Sequence, residues 1–216
     1  MTGPSLPGPT ILVADDHPMF REALKLAIRR VAPAAEILEA GQLGDAADAA
    51  RRAGRLDLIL LDLRMPGAEG FSGVALMHAE RPETPIIVVS SADSADAAPR
   101  ARAYGARGFL SKTADLRIIE ETVGRVLAGD PGPIGTPEEG SETNEMAERI
   151  AALTPTQIKV LLGVLGGRLN KQIAFELGIS EATVKGHMTT IMRKLGVQTR
   201  TQAALAAKAL DIEMAD

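Results

Sequence analysis

Leu56-Asp57-Leu58-Ile59-Leu60-Leu61-Asp62-Leu63-Arg64-Met65-Pro66-Gly67-Ala68-Glu69-Gly70 is the stretch that decides the fold. Residues 58–61 are an unbroken apolar run, the pattern of a strand buried on both faces of a parallel sheet. Asp62 ends that run, and Met65-Pro66-Gly67 turns the chain away. A carboxylate is thereby set at the carboxyl end of a central strand, where open α/β sheets hold their ligands. A lone aspartate in such a place is most often a loop cap. Asp62 has company: Asp15-Asp16, Ser90 and Lys112 each follow or end another predicted strand on the same rim.

Upstream, residues 10–14 read as a buried strand, and Pro18 opens a helix with Phe20, Ala23, Leu24, Ala27, Ile28 and Val31 at helical spacing. A second strand is predicted over 36–40 and an Ala-rich helix over 43–53. Downstream come a helix over 71–79, a strongly β-branched strand over 85–90, a helix over 95–104, a strand over 108–111 and a helix over 116–128. Five strands alternating with five helices predict a doubly wound parallel α/β sheet over 9–128. Pro99 falls inside the predicted 95–104 helix, where it would cost about 3 kcal/mol. That helix is therefore expected to start at or near Pro99, or to bend there.

Residues 129–143 hold three Pro and four Gly among acids and show no apolar period, so a flexible charged linker is expected over 129–148. Beyond it, over 149–216, every pattern is helical. Thr154-Pro155-Thr156-Gln157 reads as a capping box, and Asn170 as the cap of a helix over 171–177. Ser180 caps a longer helix over 181–195, whose Val184, Met188, Ile191 and Leu195 form one stripe. A last helix is expected over 201–210.

The chain has 216 residues, 45% of them hydrophobic, with four Phe, one Tyr and no Trp, so its core is built from Ala, Leu, Ile and Val. Absence of Cys excludes disulfides and cysteine-ligated metal and fits a reducing compartment. No apolar run reaches membrane-spanning length, and residues 1–9 lack the regions of a signal peptide, so a cytoplasmic protein with no membrane partner is expected. Residues 154–208 carry eight Lys/Arg against two acids, within a chain of net charge −4. An acidic body joined to a basic module points to an anionic partner.

The four rim positions fit phosphoryl transfer onto Asp62. An aspartate attacks phosphorus only when charge on the equatorial oxygens is neutralised, and Mg2+ on carboxylates and a backbone carbonyl does this. Asp15, Asp16 and Asp62 supply the carboxylates and Arg64 the carbonyl. Lys112 pairs with one phosphoryl oxygen and Ser90 donates to another. A turnover phosphatase of the aspartyl-phosphate kind needs a second acid two residues past the nucleophile, and Arg64 stands there.

Asp15-Asp16-His17-Pro18, residues 62–67, Ser90 and Gly105-Ala106-Arg107-Gly108-Phe109-Leu110-Ser111-Lys112 resemble the receiver domain of two-component response regulators. The resemblance implies a flavodoxin-like receiver that takes its phosphoryl group on Asp62 from a sensor histidine kinase. It also implies that Ser90 follows that group, with Phe109 changing rotamer, and that the domain assists only its own phosphorylation and dephosphorylation and is no enzyme. His17 is assigned no ligand role.

The helices around Gly178-Ile179-Ser180 have helix-turn-helix proportions. Leu153-Thr154-Pro155, residues 170–174, residues 179–187 and residues 197–203 resemble the NarL/FixJ (LuxR-type) DNA-binding domain. Carried over, the resemblance implies that Asn170, Lys171, Ser180 and Thr183 touch the DNA backbone, and that Lys185, Gly186 and Thr189 face the bases. Arg193, on the same outer side, suits a phosphate or a guanine edge. His187 reads as packing. Gly186 offers no side chain to the groove, and Thr156 to Lys159 depart from the family's acidic pattern. The function expected is a phosphorylation-controlled transcription factor acting as a homodimer on an inverted repeat. The alternative is a phosphate sink or protein-binding adaptor.

Overall fold

The computed structural model describes residues 8–68, 70–91, 97–130 and 145–207. Five strands, β1 (Thr10–Ala14), β2 (Glu36–Ala40), β3 (Leu58–Leu61), β4 (Ile86–Ser90) and β5 (Gly108–Ser111), form one sheet in the order β2-β1-β3-β4-β5. Every pairing is parallel. The three central strands are buried on both faces, whereas β2 and β5 at the edges are partly exposed. Continuous apolar runs therefore mark the centre and mixed runs the edges, as two-sided burial requires.

Side-chain alternation along each strand splits the core in two. Ile11, Val13, Leu58, Leu60, Ile87 and Val89 pack under α1 (Pro18–Val31) and α5 (Leu116–Leu127). Leu12, Ala14, Ile59, Leu61, Ile86 and Val88 pack on the other side, under α2 (Leu43–Arg52), α3 (Ser72–Glu80) and α4 (Ala97–Ala103). Pro99 lies in α4, which is described from Ala97 onward. Residues 92–96, including the predicted start of that helix at 95, lie outside the described residues.

Tyr104, just past α4, is fully buried and stacks on Phe71, the residue before α3, with ring centroids 5.6 Å apart. The Arg100 guanidinium lies 4.9 Å over the Phe71 ring. Burial pushes the Tyr104 phenol up to about 12, against a pull from Arg100. Its pKa in the unfolded chain is about 10. Stability from this group is intact below pH 10 and falls between about pH 10 and 12, where only the unfolded state releases the proton. Urea unfolding of wild type and Tyr104→Phe should show this. The wild type is expected to lose at most about 2–3 kcal/mol more than the variant across that window.

Gly105 follows with φ of +100°, and a Cβ there would lie 2.4 Å from His78 Cγ of α3. Gly105→Ala should lower the stability read from urea unfolding by at least the left-handed penalty of about 1–2 kcal/mol, because the ring must also move.

The second half of the chain is all helix: α6 (Glu145–Ala151), α7 (Pro155–Leu165), α8 (Asn170–Leu177), α9 (Glu181–Leu195) and α10 (Arg200–Ala207). The Thr154 capping box forms as expected, with Gln157 N donating to Thr154 Oγ1 and Thr154 N to Gln157 Oε1. Gly178, at φ +64°, supplies the left-handed turn between α8 and α9. Val184, Met188, Ile191 and Leu195 are all buried.

Residues 145–148, within the linker expected over 129–148, are helical and belong to α6, which buries Ala147 and Ile150. Residues 131–144 of that stretch lie outside the described residues. One expectation about a helix cap is corrected. Asn170 is the first residue of α8 and not its cap. Leu169 holds that place, its N–H donating to Gln172 Oε1 at 2.7 Å, while Asn170 Oδ1 accepts from Arg200 Nη1 at 2.5 Å. The end of the last expected helix, 208–210, is also outside the described residues.

Candidate functional site

Register brings the rim residues together. Ala14 pairs with Leu61 across β1 and β3, so Asp15 and Asp62 leave adjacent strands side by side, and Asp62 N donates to Ala14 O at 2.8 Å. Ser90 pairs with Ser111 across β4 and β5, and Lys112 N donates to Ser90 O at 2.9 Å. Side-chain geometry completes the cluster. Lys112 Nζ lies 2.7 Å from both Asp62 Oδ2 and Asp15 Oδ2.

Asp15 and Asp62 are nearly inaccessible, at 1% and 2% exposure. Burial raises the Asp62 pKa, as does the Asp15 charge, against the pull of Lys112 and the Arg64 amide. For Lys112, burial would lower the pKa, but contacts with Asp15 and Asp62 outweigh it and the net shift is upward. One ammonium is thus divided between two carboxylates and cannot fully compensate either. Asp62 Oδ1 and Asp15 Oδ2 are buried without a hydrogen-bond partner, the latter meeting Lys112 as an ion pair at 2.7 Å.

Asp62 lines a cavity of about 740 Å³ together with Asp16, His17, Phe20, Arg64 and Lys112. Asp16 stands at its mouth. His17, given no ligand role by the sequence, lies inside the cluster. Its Nδ1 is 2.6 Å from Asp16 Oδ1, and with Asp15, Asp16 and Asp62 it offers ligand atoms all within 4.8 Å of one another. The sequence marks Phe20 only as helix core, yet its ring centroid lies 5.0 Å from Lys112 Nζ and helps hold the ammonium. Ser90 is fully buried at the end of β4, and Phe109 is half-buried on β5 opposite Val88.

In the helical half, the outer side of α9 is open. Lys185, Gly186, Thr189 and Arg193 are exposed, as are Lys171, Ser180 and Thr183. Ser180 Oγ accepts from Thr183 N at 3.0 Å, so both hydroxyls stand at the helix N-terminus where a phosphate is favoured. Lys185 Nζ pairs loosely with Glu181 at 3.2 Å, and Thr189 Oγ1 donates to Lys185 O. Asn170 is half-buried and held by Arg200, an anchor that sequence reasoning missed. Arg149 of α6, also missed, donates to Leu195 O at 2.9 Å and covers the carbonyl end of α9.

The model of the "Response regulator receiver domain" matches residues 11–124, and that of "Bacterial regulatory proteins, luxR family" matches residues 151–207. The chain belongs to the response regulators. It joins a receiver to a LuxR-type DNA-binding domain, and these matches do not favour the adaptor alternative. Among its relatives, the response regulator is 37% identical over 211 residues to the glycerol metabolism activator of Pseudomonas putida, covering 93% of this chain and 96% of that one. It is 31% identical over 204 residues to the nitrate/nitrite response regulator protein NarP of Escherichia coli K12, covering 90% and 92%. In fold it is similar to the RcsB response regulator of Salmonella typhimurium, a structure concerned with DNA interaction, with TM-score 0.54 at 19% identity over 93% of this chain and 98% of that one. The set of domains is that of a transcription factor. Among the described residues, no helix of this response regulator is long and apolar enough to cross a membrane.

Proposed function

We propose that Asp62 accepts a phosphoryl group from a sensor histidine kinase, and that this controls binding of the helical half to an inverted repeat as a homodimer. The observation that carries the reading is Asp62 itself, in the lining of the cavity, with its buried Oδ1 lacking a hydrogen-bond partner while Lys112 holds the other oxygen. Asp62 Oδ1 forms the new P–O bond as the P–N bond to the donor imidazole breaks and that ring leaves. Lys112 then stands ready for a phosphoryl oxygen, with Ser90 and Phe109 as the residues that follow it. The receiver assists only this transfer and the later hydrolysis, in which water attacks phosphorus and the Asp62 carboxylate leaves.

Asp15, Asp16 and Asp62 fit Mg2+. They are hard oxygen donors, and two of their buried oxygens lack a hydrogen-bond partner. With the Arg64 carbonyl they would hold the ion, which when bound neutralises charge on the phosphoryl oxygens. His17 at the rim keeps its place beside Asp16 and is not needed as a ligand.

On DNA, α9 enters the major groove. Lys185 and Thr189 meet base edges, while Lys171, Ser180, Thr183 and Arg193 meet phosphates. Asn170 contributes less than the family pattern implies, since Arg200 already occupies its oxygen. The helical half is proposed to begin at α6, after the linker, and the receiver to span 9–128. Anisotropy titrations of the full chain against genomic fragments, with and without a small phosphodonor and Mg2+, test the reading. The expected result is specific binding that tightens with phosphodonor and weakens steeply with salt, by about 0.9 in log K per log salt for each phosphate contacted. Binding that never exceeds the non-specific level would refute it.

A further inference from the structure

Helix α3 is buried all round over its first six residues. Ser72, Gly73, Val74, Ala75, Leu76 and Met77 are all buried, whereas a helix lying on a sheet ordinarily keeps a polar side toward water. Its outer side is covered by α6 and α7 of the helical half. The apolar cluster beneath α3 runs on without a break into that half, from Leu61 and Met77 through Leu161 to Ile191. A charged pair closes the seam. Glu80, the last residue of α3, has a side chain only 7% exposed and takes Arg51 of α2 at 3.1 Å and Lys159 of α7 at 3.2 Å. A carboxylate buried to that degree needs its cations in place.

The same docking leaves the DNA side free. Helix α9 packs chiefly on α6, α7, α8 and α10, all of its own half. Lys185 is 65% exposed, and Leu205 on α10 is 60% exposed. The seam also lies close to the phosphoryl site. Leu43 N donates to Pro66 O at 2.9 Å, and Leu43 and Gly67 face Leu162, Gly163 and Ile173 across a cleft of about 330 Å³.

We infer that the two halves work as one docked unit: α3 is the receiver's output surface, clamped on α7 by apolar contact and by Glu80–Lys159, and α9 reads DNA without the halves separating. A change at Asp62 then needs to cross only Met65-Pro66-Gly67 to reach the seam. The inference rests on the DNA-binding reading above.

The chain has no Cys, so Glu80→Cys with Lys159→Cys creates a unique pair. The full-length double variant is joined by a short bifunctional maleimide, and a control is capped with a monofunctional one. The joined protein is expected to bind its DNA fragment within about twofold of the capped control, and a loss of about tenfold or more on joining overturns the inference. If neither form binds any fragment above the non-specific level while the wild type also fails, the DNA-binding reading falls and takes the inference with it. Carbodiimide coupling of wild type guards against a misfolded variant. A Glu80–Lys159 amide is expected by mass spectrometry both off and on DNA. Its absence off DNA, or its loss on DNA, overturns the inference.

Discussion

Asp62→Asn is expected to abolish phosphoryl uptake while leaving the protein folded. Asparagine keeps the shape of aspartate but has no anionic oxygen to form the bond, and the neighbouring Asp15 follows a different strand and is already held by Lys112. Removal of the Asp62 charge also relieves a buried carboxylate that shares its ammonium, so Lys112 pairs with Asp15 alone. The urea midpoint should stay level or rise slightly. Mass spectrometry after incubation with acetyl phosphate and Mg2+ should show one added phosphoryl group in wild type and none in the variant. DNA binding by the variant should be insensitive to the phosphodonor. Stoichiometric labelling of the variant would move the acceptor elsewhere in the cluster.

Ile191→Ala should produce the largest loss of stability. Ile191 is fully buried in α9, on the stripe that faces α6, α7 and α8. Truncation removes its buried methyl groups and leaves a hole that α9 cannot close, because Val184, Met188 and Leu195 pin the helix on either side. The expected cost is about 2–5 kcal/mol, read from urea unfolding followed by circular dichroism. DNA binding should fall with it. Phosphoryl uptake at room temperature should not, because α9 packs chiefly within its own half and leaves the rim residues untouched. Equal loss of both activities would show that the shared core unfolds as one body.

The receiver half was legible because its signals are local and mutually consistent. Each central strand is an apolar run that leads to a functional polar residue, and register alone then brings Asp15 beside Asp62. The stripe in α9 was equally plain, since four apolar residues at helical spacing define one buried face. Helix α6 was not, for it has seven residues, only two of them well buried, and follows a Gly/Pro-rich stretch. Cap preferences pointed to Asn170, but a guanidinium thirty residues away decides its role. His17 and Phe20 gave no local sign that they would face the acids and Lys112. The cover over α3 did leave a trace in the sequence: Gly73-Val74-Ala75-Leu76-Met77 is an apolar run in a helix, and such a run calls for neighbours on every side.

That run bears on how freely the halves of this chain can be exchanged. A receiver whose third helix kept a polar outer face would offer α7 nothing to bury and would leave Lys159 without its carboxylate. Conversely, this receiver on a foreign effector would expose Leu76 and leave Glu80 short of one of its two cations. The linker allows many pairings by length, but the surface of α3 admits only a matched one, so exchanging either half alone should cost stability, and exchanging α3 and α7 together should not.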